Sequence, residues 1–172
     1  RSSAASDVYK RQVALAALLH DCGREIPVKE SVEKARAFGL PVDFIEAGQP
    51  VLLHAKIGAC LATQKYGVTD PEVLEAIRCH TTGAETLSLT ARIVFLADML
   101  EPGRKFPGVE ELRRLAREDL EQAMFTAYRD TICYLLEAGA LIHPAAIAGY
   151  NRLALQRTNT DKLSSDDGNK KK

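Results

Sequence analysis

Five ionisable side chains interrupt segments that are otherwise apolar. His20 and Asp21 close one such segment, His54 follows Val-Leu-Leu, His80 ends a periodic segment, and Asp98 lies within Ile-Val-Phe-Leu-Ala-Asp-Met-Leu. Burying such groups costs free energy unless they find partners. Imidazole and carboxylate groups bind divalent and trivalent metals, and facing helices can direct them to one point. The five residues, on four predicted helices, therefore indicate a metal site.

Each of these residues taken alone also has a structural interpretation. A single histidine on an apolar face is most often a hydrogen-bonded core residue, and a single late aspartate caps a neighbouring element. The recurrence of five ligand-type residues favours the metal site over that interpretation. His143, in Leu-Ile-His-Pro at a helix start, is the comparison case, for which the two interpretations weigh about equally.

The elements that must position these residues are helices. Apolar residues recur at three- and four-residue spacing almost throughout, and no segment alternates as a half-buried strand does. Asp70 and Ser88 stand where helix N-caps are expected, and Gly39, Gly67 and Gly139 where C-terminal caps are expected. We predict an all-α helical bundle with one long loop before Val109. The predicted helices cover residues 13–23, 28–38, 41–47, 51–66, 70–80, 89–100, 109–115, 120–138 and 144–157.

Composition limits the partners. The 172 residues include 23 Lys and Arg against 23 Asp and Glu, so the formal net charge is zero. This zero net charge argues against a general nucleic-acid binder and against a basic protein that binds membrane surfaces. No apolar run approaches the ~18 residues that a membrane span needs. The four cysteines form no C-x-x-C pair, which favours reduced thiols and a cytoplasmic protein. The mixed charges of residues 110–118 indicate a solvated helix surface. Monomer and homodimer remain undecided.

The two ends differ from the middle of the chain. Residues 1–12 (RSSAASDVYKRQ) have no apolar face and resemble foreign, adapter-like sequence, so we leave them out of the fold prediction. Residues 158–172 are polar and low in complexity, and we predict a disordered tail. Residues 13–157 contain no linker or repeat and are predicted to form one domain with a truncated N-terminal helix.

At the five metal-site residues the sequence resembles the HD-domain metal-dependent phosphohydrolases, which are named for an adjacent His-Asp pair. One bacterial branch, the YqeK family, is similar over residues 13–155. The resemblance implies an HD-domain enzyme that splits diadenosine tetraphosphate symmetrically into two ADP at a dinuclear metal site, with iron favoured and manganese or magnesium as alternatives. The blocks that carry it are LLHDCGREIP, PVLLHAKIGA, AIRCHTTG, LADMLEPGRKFPGVEELR and LLEAGALIHP.

The resemblance also implies ligand roles. His20, Asp21 and Asp98 would hold one metal together with a further histidine, and Asp21 would bridge to a second metal held by His54 and His80. A hydroxide bridging the two metals would attack phosphorus, which makes Asp21 the implied catalytic residue. The family carries the further histidine on the preceding helix, and no histidine precedes His20 here. We therefore expect weak binding of the first metal and low activity, both restored in a chain extended upstream.

A polyphosphate substrate needs cationic and hydrogen-bonding contacts besides the metals. The candidates are Arg24, Lys56, Thr81, Thr82 and Arg104, each of which stands near a predicted ligand. Solvated charge or helix capping is the alternative explanation for each. Two other functions stay open: another HD-type nucleotidase, which would release inorganic phosphate, and a non-catalytic nucleotide-binding HD domain.

Overall fold

A computed structural model describes the backbone of residues 3–168 and the side chains of residues 6–159. Within this part the chain forms nine α-helices and no strand, so the all-α prediction is confirmed. None of the helices described combines the length and apolarity needed to cross a membrane. The helices are α1 (Ser3–Leu19), α2 (Ser31–Ala37), α3 (Phe44–Gly48), α4 (Leu53–Tyr66), α5 (Pro71–Cys79), α6 (Leu89–Met99), α7 (Val109–Glu118), α8 (Leu120–Glu137) and α9 (Pro144–Gly168).

Both ends of the described chain are more helical than the sequence prediction. Residues 3–12, which that prediction leaves out of the fold, form the first part of α1, and Gln12 donates to the Asp70 carboxylate at 2.9 Å. The helix α9 continues to Gly168, well into the segment predicted to be disordered. Neither segment contains a proline or an internal glycine to stop a helix. The last four residues of the predicted tail lie outside the described residues.

Capping residues fix the short connections around α5. The Asp70 carboxylate accepts hydrogen bonds from two amides in the first turn of α5, and the Ser88 hydroxyl accepts one from the Ala91 amide at 3.2 Å. Gly67 ends α4 with a φ of 67°, a left-handed conformation that glycine adopts without steric cost. These caps agree with the sequence prediction, and they set where α4 ends and where α5 and α6 begin.

The helices that carry the predicted ligands pack on one another. α5 contacts α1, α4 and α6, and α1 also contacts α6. The main core among them continues to α7, α8 and α9, while a smaller cluster packs α2 against α4. The helix α4 therefore packs against α5 on one side and against α2 on the other. The large side chains with almost no exposed surface include Leu53, Ile57, Ile77, Leu112, Met124 and Tyr128.

Arg113 on α7 departs from the prediction of a solvated helix surface. Its side chain is only 19% exposed, and it donates to the carbonyl oxygens of Leu100 at 3.2 Å, Glu101 at 2.8 Å and Arg104 at 3.2 Å. The neighbouring Arg114 is 52% exposed and pairs only with glutamates of its own helix, as predicted. Arg113 therefore ties down the loop that follows α6.

Candidate metal centre

The structure brings all five predicted ligands to one place, and each stands at or near a helix end. His20 directly follows α1, His54 is the second residue of α4, His80 directly follows α5, and Asp98 is the next-to-last residue of α6. Asp21 precedes the short 3-10 helix Cys22–Glu25. Helix ends leave backbone groups without intrahelical partners, and these groups are available to orient side chains.

The three histidines of the cluster are oriented in the same way. In each, Nδ1 lies against the carbonyl oxygen three residues earlier, at 2.7 Å for His20, 2.5 Å for His54 and 2.7 Å for His80. A carbonyl oxygen only accepts, so Nδ1 must carry the proton, and in the neutral ring Nε2 then has a free lone pair. Metal-binding histidines are commonly fixed by such a contact.

The Nε2 atoms of His54 and His80 lie 3.0 Å apart. The Thr81 hydroxyl lies 3.3 Å from the first and 3.1 Å from the second, but its single hydrogen can serve only one of them. Two lone pairs at this separation repel each other unless a cation lies between or beside them. The pair therefore fits a metal ligand set better than a neutral hydrogen-bonded core.

The two oxygens of Asp21 face different histidines. Its Oδ1 lies 3.2 Å from His54 Nε2 and 3.5 Å from His80 Nε2, whereas Oδ2 lies 3.7 Å from His20 Nε2. Oδ1 is buried and accepts no well-directed hydrogen bond, although Arg24 Nε lies 2.6 Å away. A carboxylate with one oxygen toward each ligand group is suited to bridge two cations.

Asp98 completes the ligand group around His20, since its Oδ1 lies 3.8 Å from His20 Nε2. By distance alone His80 can join either group, because its ligand atom lies within 4.8 Å of those of His20 and Asp98 and also of those of Asp21 and His54. One Nε2 lone pair binds one cation, and the 3.0 Å approach to Nε2 of His54 favours the second group for His80.

The electrostatics of the two groups differ. Burial lowers the pKa of His80 to about 4 and also lowers the pKa of His54, so both rings stay neutral at pH 7. The Asp98 carboxylate raises the pKa of His20, and His20 in turn lowers the pKa of Asp98 to about 2. For Asp21, burial raises the pKa, but the Arg24 guanidinium together with His20 and His54 lowers it, and the net shift is downward. His54 and His80 as neutral imidazoles, and Asp21 and Asp98 as carboxylates, are therefore in the protonation states that metals require. A metal would have to displace a proton from His20, whose raised pKa favours the protonated ring.

A third acid–histidine cluster, formed by Asp43, Glu46 and His143, does not fit a metal. His143 Nδ1 accepts from the Ala145 amide at 3.1 Å, so its Nε2, 3.2 Å from an Asp43 oxygen, carries the proton. A protonated nitrogen cannot bind a metal. The structural interpretation of His143 is therefore favoured, and this fourth and last histidine of the chain does not supply the further ligand implied by the resemblance.

Three of the five predicted substrate contacts lie at the metal centre. Arg24 is beside Asp21, three residues along the same turn. The Arg104 Nη2 atom lies 3.4 Å from an Asp98 oxygen, and the Thr81 hydroxyl is beside the two buried histidines. The structure thus places two guanidinium groups and one hydroxyl beside the five predicted ligands.

The other two predicted substrate contacts, Lys56 and Thr82, bind other groups. Lys56 Nζ instead binds the buried carboxylate of Glu46 at 2.6 Å, so this geometry gives no support to its prediction as a substrate contact. Lys56 follows His54 by two residues, and residues two apart in a helix do not share a face. The Thr82 hydroxyl donates to the Gly83 carbonyl at 3.3 Å.

Two residues that support the centre were missed from the sequence. Gly23 lies against the first turn of α4, where a Cβ would come within 2.0 Å of the His54 carbonyl oxygen. The hydroxyl of Tyr128 donates to the carbonyl of Ala84 and accepts from its amide, both at 3.1 Å, which fixes the loop after His80. The signal for Gly23 was its place two residues after Asp21 of the His-Asp pair.

Comparison with known proteins agrees with this geometry. Residues 4–103 match the HD domain family. A protein of Halalkalibacterium halodurans named "Bis(5'-nucleosyl)-tetraphosphatase, symmetrical" is 38% identical over 148 residues, 86% of this chain and 79% of that protein. A Bacillus subtilis protein of the same name is 34% identical over 143 residues, 83% of this chain and 76% of that protein.

A solved structure is also similar. It belongs to a Clostridium acetobutylicum protein described as a predicted HD superfamily hydrolase involved in NAD metabolism. It matches with a TM-score of 0.79 at 33% identity and covers 87% of this chain and 86% of that one. Family match, sequence relatives and fold agree: the chain is a member of the HD-domain family, in its YqeK-like branch of phosphohydrolases.

Proposed function

We propose that this protein is a metal-dependent hydrolase that cleaves diadenosine tetraphosphate symmetrically into two ADP. The observation that carries the proposal is the convergence of three histidine Nε2 atoms on two carboxylates, with every Nδ1 held by a backbone carbonyl. The names of the relatives from Halalkalibacterium halodurans and Bacillus subtilis supply the substrate and the symmetry of cleavage.

The ligands divide into two sets. His20 and Asp98 would hold one cation and His54 and His80 the other, with one oxygen of Asp21 toward each. Bound cations supply an acidified water and neutralise the charge that develops on phosphorus. We propose iron for this site, because imidazole-rich sets suit iron better than magnesium, which prefers oxygen ligands; manganese is the alternative.

The chain's own residues orient the substrate. Arg24 and Arg104 are about half exposed, so each can turn from its carboxylate partner to bind a phosphate oxygen. The hydroxyl of Thr81 lies at the ring nitrogens and can donate to a phosphate that reaches the centre. The geometry does not support such a role for Lys56 or Thr82.

Metal analysis and product chromatography test the proposal together. The iron-loaded protein is expected to convert diadenosine tetraphosphate to ADP alone. ATP with AMP would contradict symmetrical cleavage, and inorganic phosphate released from nucleoside monophosphates would favour an HD-type nucleotidase. Metal binding without any turnover would favour a non-catalytic nucleotide-binding domain.

A matched pair of histidine variants tests the ligand assignment. His54→Asn is expected to lose at least about tenfold in metal affinity, measured by equilibrium dialysis. His143→Asn changes a histidine in the cluster that does not fit a metal, with a side chain 14% exposed against 6% for His54, and it is expected to bind metal as the unmodified protein does. Equal metal affinity of both variants would contradict the assignment.

A further inference from the structure

Two clefts adjoin the metal centre, one reaching His54 and the other lined by His20, Asp21 and Asp98. The first, the Arg24 cleft, has a volume of about 230 Å³ and is lined by Arg24, Ile26, Val28, Val51 and His54. The second, the Arg104 cleft, has a volume of about 380 Å³. Its lining includes Ala17, His20, Val94, Ala97, Asp98 and Arg104.

The two clefts repeat the same chemistry. Each has one guanidinium beside a ligand carboxylate, at 2.6 Å from Asp21 for Arg24 and at 3.4 Å from Asp98 for Arg104. Each also has an aliphatic wall, from Ile26 and Val28 in the first and from Ala17, Val94 and Ala97 in the second. A cation with an aliphatic wall suits a ligand that has an anionic group at one end and a flat apolar group at the other.

Neither cleft is large enough for a whole dinucleotide, and each would enclose only part of a nucleoside diphosphate, since pockets for drug-sized ligands run to roughly 300–1,000 Å³. Asp21 lines the Arg104 cleft, with Oδ2 toward His20, and its Oδ1 faces His54 and Arg24, which line the other cleft.

We propose that the two clefts are separate subsites for nucleoside diphosphate, one for each half of the dinucleotide, with Arg24 and Arg104 as their respective phosphate-binding residues. This inference rests on the proposed function. It gives a physical reason for symmetrical cleavage: when each half occupies one of these subsites, the middle of the phosphate chain lies at Asp21, and each product leaves from its own cleft.

The stoichiometry of ADP binding tests the inference without measuring activity. Calorimetric titration of the metal-loaded protein with ADP is expected to give two sites per chain. Arg24→Ala and Arg104→Ala are each expected to weaken a different one of these sites by at least roughly tenfold, since hydrogen bonds to charged groups are the strong ones. The double variant is expected to lose both.

Arg129→Ala is the matched control. The side chain of Arg129 is 50% exposed and paired with Asp130, much as Arg24 and Arg104 are 52% and 51% exposed and paired, but it lines neither cleft. This variant is expected to bind two ADP with unchanged affinity. Unchanged circular dichroism spectra check that all the variants are folded.

A single ADP site in the unmodified protein would overturn the inference, and so would a double variant no weaker than either single variant. The reaction products separate this failure from failure of the proposed function. If the protein makes two ADP from diadenosine tetraphosphate but binds one ADP, only the two-subsite inference fails. If it binds two ADP that depend separately on the two arginines but leaves diadenosine tetraphosphate intact, the inference holds and the proposed function fails.

Discussion

Arg113→Met offers the sharpest test of how the fold supports the site. Arg113 donates to carbonyl oxygens of residues 100, 101 and 104 and so holds the loop that presents Arg104. Methionine keeps much of the aliphatic stem and removes the guanidinium. The three carbonyls then lose their donor, and Arg104 loses a fixed position beside Asp98.

The magnitude follows from the geometry. A hydrogen bond to a charged group is worth about 1.5–3 kcal/mol. Two of the three bonds are long, at 3.2 Å, and the freed carbonyls can turn to water, so the total expected loss of unfolding free energy is about 3 kcal/mol. For a chain of this length that corresponds to a fall in Tm of about 6–12 °C.

Arg114→Met is the control on the same helix. Arg114 pairs with Glu111 and Glu118 on the exposed surface, where solvent screens ion pairs and they add little to stability. Urea denaturation followed by circular dichroism measures both variants. If the two variants lose the same unfolding free energy within about 0.5 kcal/mol, Arg113 does not stabilise the loop, since only Arg113 bonds to it.

The Arg113→Met variant is also expected to change the kinetics. Because Arg113 acts through the position of Arg104, we expect KM for diadenosine tetraphosphate to rise about tenfold, the loss of one charged hydrogen bond, with a smaller change in kcat. Arg113→Lys is expected to recover only part of this loss, because one ammonium group cannot reach three carbonyls. If lysine restores KM fully, the positive charge alone accounts for the effect and the three-carbonyl contact does not.

Three further predictions concern the supporting structure. Lys56→Met leaves the buried carboxylate of Glu46 without its cation and is expected to cost about 3 kcal/mol in urea denaturation, with part recovered by adding Glu46→Gln. Gly23→Ala places a methyl group within 2.0 Å of the His54 carbonyl, so we expect a loss of more than about 2 kcal/mol together with weaker metal binding in dialysis; retention of both would contradict the tight contact. Removing the metal with a chelator is expected to lower the Tm, because a cation at 100 times its Kd stabilises the fold by about 2.7 kcal/mol, and a Tm unaffected by chelation would argue against a folded-state metal site.

The helical architecture was predictable because its signals are local. The three- and four-residue spacing of apolar residues defines the helices, and Asp70, Ser88 and Gly67 mark helix ends through backbone hydrogen bonds made within a few residues. The polar composition of residues 158–172 predicts a disordered tail, whereas the helix α9 continues to Gly168, since nothing in that segment stops a helix.

The sequence by itself determined which side chains could bind metal, because ionisable groups within apolar helices must find partners wherever the helices pack. It also indicated Arg24, which shares a turn with Asp21. Only the tertiary structure decided which partners the other basic side chains bind: Lys56 binds Glu46, and Arg113 binds the loop after α6. It alone also decided that Nε2 of His54 and of His80 face each other, while the proton of His143 faces Asp43. These outcomes depend on groups distant in the chain, whose approach is set by the packing of whole helices and not by local spacing.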